Sequence, residues 1–274
     1  MKKKLALILI LCLSLGLFMT GCSKTDSDAG APVGEDTSWT DIKDRGYFIV
    51  GLDDAFPPMG FREQGTNEII GFDIDLAKAV AEKMGVEVQF QPVIWDTIIE
   101  ELNGHKVDVI WNGLTITEER KTKIAFTDAY VEDKQIIVLQ KSSDIKDKAG
   151  LADKTVGIQA GSSAVEAVKR DAATYESLGE LVEFGSNDEA LLDLASGRLD
   201  AVVVDEVVGR YYIAKKPDDY KVIADNFGEE EFGVGLRQTD KAFLAELEKA
   251  LDEIKADGTA AEISQKWFGE DITK

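Results

Sequence analysis

The sequence predicts an α/β fold built as two similar lobes, and three observations carry that expectation. Short apolar runs with strand-like alternation recur between segments whose apolar residues repeat at helical spacing, a rhythm that implies a mainly parallel sheet with helices on its faces. Leu102 to Thr115 and Leu194 to Asp205 echo each other, each running from a helix end through glycine, a basic residue and Asp into an apolar strand with a polar terminus. Near the end, Asp225-Asn226-Phe227-Gly228 and Glu229-Glu230-Glu231 read as an acidic turn where the chain crosses between lobes.

Taken in order, Tyr47 to Leu52 reads as the first strand, stopped at Asp53-Asp54-Ala55-Phe56 by the paired Pro57-Pro58. Gly71-Phe72-Asp73-Ile74-Asp75 then opens a helix whose apolar stripe is Leu76, Ala77, Val80, Ala81 and Met84, closed by Gly85. Val86, Val88 and Phe90 alternate as the next strand. Trp95 precedes a helix with Ile98, Ile99 and Leu102, and Val107 to Trp111 forms a strand running into Asn112-Gly113-Leu114-Thr115-Ile116-Thr117-Glu118-Glu119-Arg120. Strands follow at Ile136–Leu139, Thr155–Gln159 and Leu199–Val204, and a short one passes through Phe232, Val234 and Leu236. Ser163 with Glu166, and Ser186 with Glu189, carry capping-box spacing before helices. The chain closes with one helix carrying Phe243, Leu247, Leu251 and Ile254 and another from Ile263 to Trp267-Phe268.

The N-terminus sets an address. Lys2-Lys3-Lys4, an apolar run from Leu5 to Phe18 that is short for a spanning helix, and Met19-Thr20-Gly21-Cys22 describe an exported precursor. The last four residues resemble a bacterial lipobox, so residues 1–21 are expected to be a lipoprotein signal peptide and Cys22 the lipidated anchor at the cell membrane. Residues 22–38, rich in Ser, Thr, Asp, Gly, Ala and Pro, then read as a flexible tether. With Cys12 in the leader and Cys22 at the anchor, the body has no disulfide and no thiolate set for a metal. The formal charge of −21 becomes −24 without the three leader lysines, which argues against nucleic acid or anionic lipid as partner and leaves a cationic or zwitterionic small ligand compatible.

Leaving the end of a strand, Asn112 to Arg120 offers a carbonyl, amides, hydroxyls and a guanidinium fork suited to an amino-acid zwitterion. The same stretch also reads as a turn capped by Thr117 with Arg120 as a solvated charge.

Further residues choose between these. Gly71-Phe72-Asp73-Ile74-Asp75-Leu76 with Val80-Ala81 and Met84, Gly113 to Arg120, and Trp267-Phe268-Gly269 resemble, in this order, the signatures of the extracellular polar amino-acid-binding proteins of bacterial ABC importers, solute-binding protein family 3. The likeness runs from about Trp39 to the C-terminus. It implies a periplasmic-binding-protein-like fold of type II, with residues 39–130 plus 232–274 as lobe 1, residues 131–231 as lobe 2, and the ligand closed between them.

Carried onto this sequence, the resemblance implies that Arg120 clamps the ligand carboxylate with the Thr115 amide and the helix start at Ser162-Ser163. Asp205, the Gly113 carbonyl and the Thr115 hydroxyl would hold the α-ammonium. Phe56 and Trp95 would sandwich the side chain. Asp53 and Gln159 would meet its tip, with Asp54 and Trp111 as weaker candidates. The bland alternatives are core aromatics, Asp205 or Ser163 as helix caps, and Asp53 and Asp54 as solvated turn residues.

Glutamine-binding relatives can carry a basic residue at Gln159 and a histidine before Asp205, where this chain has Val204. An acidic Asp53, a neutral Gln159 and two aromatics lean instead towards a cationic amino acid. The expected protein is a monomeric, cofactor-free and metal-free binding component that serves separate permease and ATPase subunits. Two alternatives are an enzyme resembling cyclohexadienyl dehydratases and an amino-acid-sensing module. For the first, the one histidine, His105, lies in a Gly-His-Lys turn that reads as surface.

Overall fold

In the computed structural model, residues 35–274 are described, so the signal, Cys12, Cys22 and the tether through residue 34 lie outside the described residues. Helix α1 (Ser38–Arg45) precedes β1 (Tyr47–Leu52). The last expected tether residues are docked: Asp36 accepts from the Ala242 amide at 2.6 Å, and the Ser38 hydroxyl accepts from the Phe243 amide at 3.1 Å.

The proline-rich segment is more ordered than its sequence suggests. β2 (Ala55–Phe56), β3 (Gly60–Arg62) and β4 (Ile69–Ile70) form a small antiparallel sheet where a loop was expected. Strands of two or three residues are too short to display a period of two. Then come α2 (Phe72–Met84), β5 (Glu87–Pro92), a 3₁₀ turn at Trp95–Thr97, α3 (Ile98–Asn103), β6 (Val109–Ile110), α4 (Glu118–Lys121) and β7 (Ala125–Phe126). The predicted apolar stripe of α2 is its buried face, with Leu76, Ala77, Val80 and Ala81 in the core.

The chain continues with β8 (Val131–Gln140), β9 (Thr155–Gln159), α5 (Ser163–Arg170), α6 (Ala172–Ser177), β10 (Glu180–Phe184), α7 (Asn187–Ser196), β11 (Ala201–Asp205), α8 (Glu206–Lys215) and β12 (Tyr220–Phe232). It finishes with β13 (Gly235–Leu236), α9 (Lys241–Ala256) and α10 (Thr259–Phe268).

Two five-stranded sheets result, ordered β5-β1-β6-β13-β7 and β10-β9-β11-β8-β12. Each has a parallel core, β5-β1-β6 in one and β10-β9-β11 in the other, and two further strands join it through antiparallel pairings. β6 and β11 therefore hold equivalent places, which accounts for the echo between the stretches that contain them. In β8, Ile136 and Val138 join one core cluster while Ile137 and Leu139 join another. β11 alternates likewise, with Val202 and Val204 on one side and Ala201 and Val203 on the other. Burial on both faces is why these strands read as unbroken apolar runs.

Glu229-Glu230-Glu231 does not form a turn. These residues lie within β12 and pair with Lys134, Asp133 and Glu132 of β8. None supplies the left-handed backbone or fixed φ of a turn former, and the ladder to β8 satisfies their main chain. Like charges facing each other across a ladder are unfavourable, and Lys274 offsets this by bridging Glu132, at 2.8 Å, and Glu231.

Candidate functional site

β6 ends at Ile110, and Trp111, Asn112 and Gly113 follow it, all buried. Asn112 accepts from the Asp53 amide at 3.1 Å, which fixes the end of β1 beside it. Gly113 has φ 58°, and a Cβ there would lie 2.7 Å from the Phe56 ring, so both its conformation and its closeness to the ring require glycine. Its amide donates to Asp73 at 2.7 Å, and the Tyr130 hydroxyl donates to the same carboxylate oxygen at 3.0 Å. Desolvation raises the Asp73 carboxyl to about 7. Asp73→Ala would strand two buried donors and should lower the unfolding free energy by about 2–5 kcal/mol, whereas Asp73→Asn keeps an acceptor and should cost less than about half of that. Urea unfolding of both variants measures the difference.

The next residues combine a helix cap with a buried arginine. Thr117 caps α4, its hydroxyl accepting from the Arg120 amide at 3.1 Å. The Arg120 side chain, however, is 7% exposed rather than solvated. Its guanidinium donates to the Thr115 carbonyl at 2.9 Å and to the Gly161 carbonyl at 3.0 Å, and its Cζ lies 6.0 Å from the Trp95 ring centroid. Burial pulls its pKa down, while Glu230 foremost, then Glu166 and Asp205, push it up.

The second sheet supplies the facing wall. β9 ends at Gln159, and Gly161, with φ 69°, turns the chain so closely against Asp96 that a Cβ would sit 2.7 Å from the Asp96 Cα. Two capping expectations fail here. Ser162, not Ser163, is the N-cap of α5, and it makes no side-chain cap bond because its hydroxyl donates to the Gln159 carbonyl at 2.8 Å. Ser186 stands at the N-cap of α7 without a cap bond and donates to Asp188 instead. Ser163 turns its hydroxyl to Thr115, at 3.0 Å, and to Glu230, at 2.9 Å.

Asp205 ends β11 and does not cap α8 through its side chain. Asp133 does that work, accepting from the Glu206 and Val207 amides at 3.2 Å each. Asp205 accepts from the Gln135 amide at 2.9 Å. Desolvation, and next the charge of Glu230, raise its carboxyl to about 7.

Phe56, Trp95, Gly113, Thr115, Arg120, Gln159, Ser162, Ser163 and Asp205 line one small cavity of about 10 Å³. The Phe56 and Trp95 rings are parallel within 4°, with centroids 6.4 Å apart. Asp53, the remaining expected residue, lies behind the lining and accepts from Gln159 at 2.7 Å, with Asn187 donating to the far side of that amide at 2.9 Å. Burial raises its carboxyl, against hydrogen bonds from Ala55 and Gln159 that lower it. The weaker candidates are absent from the cavity wall: Asp54 pairs with Arg62, and Trp111 is fully buried in the core. His105 is exposed.

Sequence reasoning missed Gln135 and Glu230. A polar residue abutting the apolar Ile136–Leu139 run was the available signal for Gln135. Glu230 carried no signal within its acidic run.

A family model described as bacterial extracellular solute-binding proteins, family 3, matches residues 48–270. The chain is 32% identical over 241 residues to the L-cystine-binding protein TcyJ of Escherichia coli, covering 85% of this chain and 86% of that one. It is 31% identical over 270 residues to the arginine-binding extracellular protein ArtP of Bacillus subtilis, covering 98% of each. A crystal structure of an ABC uptake transporter substrate binding protein from Streptococcus pneumoniae with bound histidine superposes with a TM-score of 0.84, at 36% identity, over 88% of this chain and 99% of that one.

Proposed function

The chain belongs to the bacterial extracellular solute-binding proteins of family 3, and from that premise we propose that it is the amino-acid-binding component of an ABC importer whose ligand is a cationic L-amino acid. One observation carries the proposal: a buried guanidinium, a buried carboxylate and two parallel aromatic rings, from segments far apart along the chain, converge on a single cavity.

Arg120 and the first-turn amides of α5 bind the α-carboxylate, since helix N-termini carry free N–H groups that favour an anion. Asp205, the Gly113 carbonyl and the Thr115 hydroxyl take the ammonium. Phe56 and Trp95 flank the side chain, where a flat or cationic group gains from their π faces. The Asp53–Gln159–Asn187 chain of hydrogen bonds stands behind the tip and decides which tip is accepted. The relatives named for arginine and for bound histidine support a nitrogen-rich side chain.

We assign residues 39–130 with 232–274 to lobe 1 and 131–231 to lobe 2. The support is strand membership: β13 lies in the first sheet, and β8 and β12 are the adjoining strands of the second. The family is extracytoplasmic, and among the described residues no helix is long and apolar enough to cross a membrane. Cys22 would supply the lipid anchor, and separate permease and ATPase subunits the transport.

The test is a thermal-shift panel of the twenty amino acids on purified, ligand-stripped protein. L-Arginine or L-lysine at about a thousand times its Kd should raise Tm by roughly 10 °C, the most of any member. A panel in which only acidic or aliphatic amino acids raise Tm would sink the cationic assignment.

A further inference from the structure

Glu230 is not part of the cavity wall, yet two polar groups of that wall and the buried Gln135 beside it end on one of its carboxylate oxygens. Oε2 accepts from Thr115 Oγ1 at 2.8 Å, from Ser163 Oγ at 2.9 Å and from Gln135 Nε2 at 3.1 Å. The two hydroxyls are themselves 3.0 Å apart. Thr115 follows β6 on one wall, Ser163 opens α5 on the other, Gln135 lies in β8, and Glu230 lies in β12, which pairs with β8.

An ionised carboxylate only accepts, and each hydroxyl has a single proton to give. Thr115 and Ser163 can both donate to Glu230, or one can donate to the other while that one donates to Glu230. In either arrangement both protons are spent within the triangle. What Thr115 Oγ1 then offers the cavity is a lone pair. Gln135 is held in the same way: its amide nitrogen also donates to Asp205 at 2.9 Å, so its donor side is committed to the two carboxylates.

We propose that Glu230 is a positioning residue for amino-acid binding, which acts through Thr115 and Ser163 to make the ammonium end of the cavity purely accepting. Asp205, the Gly113 carbonyl and the Thr115 oxygen then form three acceptors for the three N–H groups of an α-ammonium. A ligand with an α-hydroxyl brings a single donor to the same set and leaves acceptors unpaired, which is costly in a buried site. Discrimination between an amino acid and its α-hydroxy counterpart thereby depends on a side chain that touches neither. The inference rests on the amino-acid-binding assignment above.

In Glu230→Gln the shape is kept, but the new amide can donate to the hydroxyls, which frees their protons to turn towards the cavity. Binding of L-arginine and of its α-hydroxy analogue (2-hydroxy-5-guanidinopentanoate) is compared by calorimetry in the wild type and the variant. If the twenty-member panel picks another amino acid, that one and its α-hydroxy analogue are used. L-Arginine should bind the variant about 10–100 times more weakly, the analogue should change by less than about threefold, and so the preference between them should fall about tenfold or more. A purely structural role would weaken both by one factor, and that result, or no change in either, overturns the proposal. Thr115→Val, which deletes the accepting oxygen, should reduce the same preference; an unchanged preference there overturns it also. If the wild type binds no amino acid at all, the underlying assignment falls, and that outcome is distinct from failure of the Glu230 variant alone.

Discussion

Arg120→Ala reduces affinity for L-arginine by about 10²–10⁴-fold while the protein stays folded. The size follows from losing a two-pronged, charge-assisted grip on the ligand carboxylate, worth about 1.5–3 kcal/mol for each hydrogen bond to a charged group. Folding survives because the backbone amide of residue 120, which Thr117 caps, is unaffected by the substitution. The guanidinium also carries a burial cost that its loss relieves. Arg120→Lys should recover little, since an ammonium cannot reproduce a planar fork that already spans the Thr115 and Gly161 carbonyls. Calorimetry with L-arginine, paired with a melting curve for each variant, reads both effects. A loss smaller than about tenfold in Arg120→Ala would refute the carboxylate clamp.

Affinity should be nearly constant at mildly alkaline pH and fall as the pH drops below about 7, approaching tenfold per pH unit. Asp205 must be ionised to pair with an ammonium, and burial beside Glu230 raises its carboxyl to about 7. A bound ammonium favours the ionised form, so below that pH binding has to expel a proton. Asp205→Asn should lose at least about a hundredfold at pH 8 and show a flatter pH profile.

Stability should move the other way. Asp205 and Asp73 have folded-state values raised above the ordinary carboxylate value of 3.8, and Asp133 is raised too, each mainly by desolvation. A raised carboxyl contributes stability that is fully present below its unfolded value and is lost as the pH climbs through the folded one. Tm without added amino acid should therefore rise as the pH falls from 8 to 5, over the range where affinity declines. Affinity that stays level between pH 8 and 5.5 would show that Asp205 does not hold the ammonium.

The long periodic elements were legible because their signals are local. α2, α9 and the core strands reveal themselves through repeats of 3.6 or 2, and strands buried on both faces through unbroken apolar runs. Arg120 and Asp205 stood out because each follows an apolar strand in a recognisable order of residues. The misses share one cause. Whether Ser163 caps its helix or turns to Thr115, and whether three consecutive glutamates form a turn or a strand, depends on groups brought near from elsewhere.

By itself, then, the sequence determined the α/β class, the two echoing strand ends and the residue types that suit an amino acid. Only the tertiary structure decided that Asp53 meets Gln159 and that Glu230 meets Thr115. Those partners lie on strands or just past strand ends, far apart along the chain, and sheet order, not sequence spacing, sets their contact.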